Sequence, residues 1–205
     1  MTPRTREQNE EIRRSRMSQI VNAAADVYLD KGMLMEIRDV ALQAGLGYGT
    51  VYHYYKNKGD LLHDLLWQAM ERASDWMYDI ATHGNSTQRE LKSVVVSLME
   101  HWAEDHAMYL LCKLQCDDFR SLFEEQTTQQ LSAAYQEKMI IPLARIIGYG
   151  TSRSLSVATR KAEMLLAAMT GCTLAPLSRG SLSEDARDIA DFLCEGLIQH
   201  KQVQT

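Results

Sequence analysis

The stretch Gly45-Leu46-Gly47-Tyr48-Gly49-Thr50-Val51-Tyr52-His53-Tyr54-Tyr55-Lys56-Asn57-Lys58 gathers the side chains best suited to contact with a polar polymer. Read as a helix from Gly47 to about Tyr54, it turns Val51 and Tyr55 inward at i, i+4. Tyr48, Thr50, Tyr52, His53 and Tyr54 are left over the remaining surface. Tyr48 and Tyr52 lie one turn apart and share a face. Gly49 between them costs about 1 kcal/mol of helix propensity against Ala, and close approach of the backbone to another surface would offset that cost. Hydroxyls, an imidazole and an absent side chain suit phosphate oxygens and base edges in a major groove. The plainer alternative is a small amphipathic helix with solvated tyrosines.

A second set is Cys112 and Cys116, four residues apart, with His101 and His106 nearby. On one helix face such a pair suits a metal, a haem or a thiol couple. Free Cys more often acts as a small buried hydrophobe. The chain has no Gly-rich phosphate loop, no nucleophile motif and no His-Glu-x-x-His. The expectation is therefore a protein that is not an enzyme, with no cofactor and no metal ligands. The alternative reading is a thiol- or metal-dependent enzyme or redox sensor using Cys112 and Cys116.

The elements that must position the tyrosines are legible on either side. Glu36 to Ala44 carries Ile37, Val40, Ala41 and Ala44 at the spacing of one buried helix face, with Arg38 beside them. Gly45 then supplies a residue free to take φ > 0, as a tight turn requires. Two short helices joined by a Gly-containing turn outline a helix-turn-helix. Ahead of it, a helix is predicted from about Asn9 to Lys31, with Ile20, Ala24, Val27 and Tyr28 on one face and Gly32 ending it. A flexible arm carrying Arg4, Arg6, Arg13, Arg14 and Arg16 is expected, either reaching the phosphate backbone or an adjacent minor groove or remaining a solvated, partly disordered tail. After it, Asn57 and Asp60 form a variant capping box for a helix running to about Ala81, roughly 35 Å long. Lys58 stands in its first turn, where free N–H groups favour an anion.

The segment Ala44 to Lys58 resembles the signature of the TetR (tetracycline-repressor) family of bacterial regulators, a helix-turn-helix of the form A-G-V-S-x-G-T-[LIV]-Y-x-H/Y-F-x-[SN]-K. The resemblance covers roughly residues 10 to 66. It implies an all-α fold with an N-terminal arm and three-helix DNA-binding domain (residues 1–57), a connecting helix (58–81) and a helical ligand-binding and dimerisation domain (82–205). It also implies a homodimer reading a pseudo-palindromic double-stranded DNA operator and released by a small-molecule effector. The DNA-contacting set is then Arg38, Gly47, Tyr48, Gly49, Thr50, Tyr52, His53, Tyr54 and Lys58, with Lys58 on a phosphate. Two positions depart from the pattern. Gly47 stands where a capping Ser or Thr is usual, and Glu36 where another usually caps the preceding helix; Glu is not a favoured cap.

The remainder of the chain reads as helices throughout. Thr87 and Glu90 cap a helix of about Gln88 to Glu104; a short helix is predicted around Met108 to Cys116. A segment from about Leu122 to Ile147 contains Pro142, which should kink or divide it near Ile141. Helices of about Ala158 to Leu177 and Glu184 to His200 follow, on either side of the loop 178–183. Trp67, Met70, Met77, Met99, Trp102, Tyr109, Cys112, Phe123 and Met139 make a possible chamber for a mostly apolar ligand, and the same residues would serve as ordinary core. Met164, Leu165, Met169, Ile189, Phe192, Leu193 and Leu197 give the last two helices more apolar surface than one contact face needs. In the family the equivalent helices pair with those of a second subunit.

Composition sets the outer bounds. A chain of 205 residues with 45% hydrophobic and 24% charged content can bury a real core. No apolar run is long enough to span a bilayer, and residues 1–16 hold no signal-peptide core, so a cytoplasmic protein with no membrane partner is expected. The net charge of −5 is unevenly placed. Residues 1–60 hold nine Lys/Arg against eight Asp/Glu, leaving 13 against 19 for the rest. A field that weakly basic makes specific contacts matter more than non-specific attraction.

Overall fold

The computed structural model describes residues 5–83, 88–115, 117–148 and 154–198, and among them every regular element is helical. Helix α1 (Arg6–Lys31) starts at a capping box. Thr5 Oγ1 accepts the Gln8 N–H at 3.2 Å, and the Gln8 side chain accepts the Thr5 N–H at 3.1 Å. This corrects the flexible arm: Arg6, Arg13, Arg14 and Arg16 lie on helix, all of them exposed. Arg6 pairs with Glu10 and Arg16 with Gln19, the i, i+3 and i, i+4 contacts that support a polar helix. Arg4 lies outside the described residues.

A 3-10 turn at Gly32–Leu34 leads to α2 (Ile37–Gln43) and α3 (Tyr48–Tyr54). The turn between them is a Schellman motif built on Gly45, whose φ is +64°. The Leu46 N–H reaches the Ala41 carbonyl at 2.9 Å and the Gly45 N–H that of Leu42 at 3.1 Å. Helix α4 (Lys58–His83) then runs for 26 residues, about 39 Å at the usual rise. Ile20, Val21, Ala24, Val40, Ala41, Val51, Leu61, Leu62 and Leu65 are all essentially inaccessible, so one apolar core binds α1 to α4.

Beyond α4 come α5 (Gln88–Glu104), α6 (His106–Leu110), α7 (Asp117–Arg120), α8 (Glu125–Tyr135), α9 (Ile141–Gly148), α10 (Leu155–Arg179) and α11 (Leu182–Ile198). Helix α6 packs against α1, α4 and α5; α11 lies against α5 and α10, and α10 against α9. Thr87, half of the expected capping box, lies outside the described residues, as does His200. The short helix expected through Cys116 ends instead at Leu110 and tightens into a 3-10 turn, Leu111–Gln115. The division at Ile141 takes the form of a π-turn, Gln136–Ile140. Pro142, which has no N–H to donate, directly follows that turn, at the point where the Ile141 N–H bonds the Gln136 carbonyl five residues back.

The residues expected at a subunit interface split between two faces. Leu165 and Met169 are 4% and 0% exposed and belong to the core of the single chain, which corrects their assignment. Met164 and Phe192 point outward, at 63% and 73%. Ile189 and Leu193 are half-buried, and the Leu197 side chain lies outside the described set. The outward face of α10 is Met164, Ala167, Ala168, Gly171, Leu174 and Ala175, apolar along more than three turns.

Candidate nucleic-acid interface

Helix α3 has little of its own to hold it. Gly47 caps it without a side chain, and only Val51 (0% exposed) and Tyr55, at its C-terminal boundary, enter the core. Seven residues do not make a stable helix in isolation, so packing fixes its direction. Tyr55 carries the polar half of that anchor: its hydroxyl donates to Asp64 on α4, which also accepts from Gln68. Burial, and next the hydrogen bond to Asp64, push the Tyr55 phenol well above its ordinary range, so it stays protonated as a donor. The Gln19 amide of α1 ties down the turn by donating to the Ala44 carbonyl at 2.7 Å.

The outward surface of α3 then follows from its periodicity. Tyr48 and Tyr52 are exposed and stack with ring centroids 5.6 Å apart. Lys56 lies 4.5 Å over the Tyr52 ring, a cation–π contact that the sequence reading missed. His53 packs edge-on against Tyr54. Thr50 is exposed beside them. Gly49 is exposed too, and a Cβ built there would meet nothing within 4 Å. No neighbour within the chain requires a glycine at that position.

Beside the tyrosines opens a cleft of about 550 Å³, lined by Met35, Glu36, Ile37, Arg38, Tyr48 and Lys58. Its floor is the start of α2. Asp39 accepts the Glu36 N–H at 3.0 Å and the Lys31 ammonium at 2.7 Å. The Lys31 bond first, and then the backbone N–H, hold the Asp39 carboxyl below its ordinary value of 3.8. Asp39 thus supplies the N3 half of a capping box, satisfying the N–H of Glu36 at the N-cap. The Glu36 carboxylate pairs with Arg38 at 2.6 Å. On the far wall the Lys58 ammonium donates to the Met33 carbonyl at 2.7 Å, leaving two protons for another acceptor. The Asn57 side-chain oxygen Oδ1 caps α4 by accepting the Asp60 N–H at 2.8 Å. The structure therefore gathers Arg38, Tyr48, Gly49, Thr50, Tyr52, His53 and Lys58 around one exposed ridge and its flanking cleft. Tyr54 is turned partly away and half-buried.

The expected chamber residues are packed rather than open. Met70, Met77, Met99, Trp102, Tyr109 and Met139 are 0–4% exposed, and the Trp102 and Tyr109 rings meet edge-to-face at 5.5 Å. Phe123 meets Phe119 edge-to-face, and Phe119 in turn touches Tyr28 of α1. Trp67 is half-buried and donates its indole N–H to His63 at 2.8 Å. Cys112 lies 4.0 Å from the Tyr135 hydroxyl, and Cys116 lies outside the described residues. Among the described residues no group of three or more His, Cys, Asp or Glu side chains is placed to hold a metal ion. Among them, too, no helix is long and apolar enough to cross a membrane.

The described residues thus form an all-helical chain with a Schellman-turned helix-turn-helix, a long connecting helix and a C-terminal helical domain. Residues 20–65 match the family model described as bacterial regulatory proteins, tetR family. That match spans the end of α1, the helix-turn-helix and the start of α4. Among curated proteins it is 28% identical over 104 residues to a fatty acid metabolism regulator protein of Bacillus subtilis (strain 168), a match covering 50% of this chain and 54% of the relative. The chain thus aligns with about half of that protein. Among solved structures, the MbdR regulator from Azoarcus sp. CIB superposes with a TM-score of 0.70 at 22% identity, over 89% of this chain and 99% of that one. FadR from Bacillus subtilis in complex with stearoyl-CoA superposes with a TM-score of 0.62 at 20% identity, over 87% and 98%. At such identities these structures speak for the fold alone.

Proposed function

We propose that this chain is a cytoplasmic, homodimeric, sequence-specific DNA-binding regulator without enzymatic activity. It acts as a repressor released from its operator by a small, mostly apolar ligand. The observation that carries the DNA-binding half is Gly49. An exposed glycine in mid-helix, with free space where its side chain would be, weakens α3 for no internal reason. Flanked by stacked tyrosines and a cleft walled by Arg38 and Lys58, it fits a surface that must come close to a nucleic acid backbone. The exposed apolar face of α10 supports the dimer, since paired half-sites need paired recognition helices.

The ligand half rests on α4. Lys58 stands at its first turn, and Met70 and Met77 lie in the core of the second domain. A ligand that rearranges that core shifts a rod ending beside the recognition helix. Operator affinity must then fall by the factor by which DNA weakens ligand binding, typically 5- to 150-fold. The relatives named for fatty acid metabolism make long acyl chains and their CoA thioesters the first class to test. Fluorescence anisotropy against DNA upstream of the chain's own gene, with and without stearoyl-CoA and the free fatty acid, is the direct experiment. Saturable binding that competitor DNA of unrelated sequence does not displace is expected. Binding no tighter than to random duplex would refute the reading, and acyl compounds without effect would refute the ligand class.

A further inference from the structure

We propose that the second domain grips the helix-turn-helix directly through a polar relay, His106–Asp26–Gln43, that bypasses the long helix α4. The regulatory consequence rests on the chain being an effector-controlled DNA binder; the relay itself does not. Asp26 lies on α1 and offers each carboxylate oxygen to a different domain. Its Oδ1 is 2.7 Å from Nδ1 of His106, the first residue of α6, eighty positions away in sequence. Its Oδ2 accepts the Gln43 amide, the last residue of α2, at 3.2 Å.

Both ends of this relay are anchored where a small movement matters. The start of α6 is fixed a second time by Asp105, which caps it through the Ala107 N–H and takes a forked pair of bonds from Arg72 of α4 at 2.6 and 3.2 Å. Gln43 stands one residue before Ala44, whose carbonyl is held by Gln19. Two side chains of α1 therefore hold the turn that aims α3, and one of them also holds α6. On its inner side α6 presents Met108, Tyr109 and Leu110 to the core, with Tyr109 against Trp102. A ligand that displaces those side chains moves α6. A bond of 2.7 Å does not survive a shift of an ångström or more, whereas apolar contacts slide. A polar cleft of about 380 Å³, lined in part by Ser18, Asn22, Arg72 and Glu104, opens over the His106–Asp26 contact and gives the imidazole room to swing away. Both partners are partly exposed, so each link is weak. Weak links of this kind are suited to breaking and re-forming in use.

The test is hydrogen exchange by mass spectrometry on the full chain. His106→Ala should accelerate exchange over residues 37–54 by about 3- to 10-fold and leave 158–177 unchanged. Gln43→Ala should loosen residues 106–110 by a similar factor, although Gln43 does not touch His106. Asp26→Ala should produce both effects, and adding either other substitution to it should change nothing further. His106→Asn keeps a side-chain N–H and should recover part of the protection. Parental exchange over 37–54 in His106→Ala would overturn the relay. Acceleration along the whole chain that His106→Asn does not relieve would overturn it equally. Where the parent binds its upstream DNA, His106→Ala should alter that affinity by about 3- to 10-fold; an unchanged affinity alongside altered exchange would overturn the regulatory role. A parent that binds no DNA would refute the functional reading, while the exchange result decides the relay separately.

Discussion

Replacing Met164 with Glu places a carboxylate at the N-terminal end of the apolar outward face of α10. In the single chain this site is 63% exposed, so a charge there is hydrated and should move the stability of the monomer by no more than about 0.5 kcal/mol. In a two-fold interface the same site is buried twice. Each lost methionine contact is worth about 1.5–2 kcal/mol of apolar burial, and each Glu must also give up water. Doubling the apolar term alone gives about 3–4 kcal/mol, or roughly 10²- to 10³-fold in the dimer dissociation constant. Sedimentation equilibrium over a concentration range from nanomolar to tens of micromolar reads that shift directly. Leu165→Ala, one position along but 4% exposed, should behave in the opposite way. It should leave association largely intact while destabilising the fold by about 2–5 kcal/mol. Parental dimer strength in both Met164→Glu and Leu174→Glu, or a parent that sediments as a monomer throughout, would refute the reasoning.

Gly49→Ala should raise the melting temperature, since about 1 kcal/mol of helix propensity is gained and the methyl meets nothing, yet lower DNA affinity by crowding the contact surface; tighter DNA binding would remove the argument from Gly49. Lys58→Ala should reduce the slope of log affinity against log salt by about 1. It should also cost about 1 kcal/mol in chemical denaturation, because the Met33 carbonyl loses its donor; an unchanged salt slope would take Lys58 off the phosphate. The Asp39 carboxyl, held below 3.8, contributes stability that is present above that pH and lost as the pH falls below it. Acid titration of helicity should therefore show a steeper loss below pH 3.8 in the parent than in Asp39→Asn, and coincident acid limbs would show that Asp39 is not coupled to folding.

The N-terminal half of this architecture was open to reading because its signals are local. The turn at Gly45, the inward pair Val51 and Tyr55, the stacked Tyr48 and Tyr52 and the cap at Asn57 each act over five residues or fewer. The readings that failed depend on facts a single helix does not encode. Helix α10 is apolar on most sides, so periodicity gave no ground for sending Leu165 inward and Met164 outward; only packing against α9 and α11 decides it. The π-turn before Pro142 and the 3-10 turn at Cys112 are local adjustments of hydrogen-bond register, and composition scarcely marks them. Asp26 and His106 are eighty residues apart, and neither stands in a motif. Lys56 over Tyr52 was within reach, since i, i+4 spacing continues just past the end of α3. The arm was misread because arginines were weighed as charges, when Thr5 and Gln8 already spelled a helix start.

The slightness of α3 has one more implication. Its hold on the domain is Val51, Tyr55, the half-buried Tyr54 and the Asp64 carboxylate, while Tyr48, Gly49, Thr50, Tyr52 and His53 face outward and none of them enters the core. Those five positions can be rewritten as a block with little penalty to folding. The helix behaves as a replaceable type slug set in a fixed frame. Drift in a target sequence can be followed by substitutions confined to this face, and a library randomised there should yield folded proteins of altered sequence preference in high proportion.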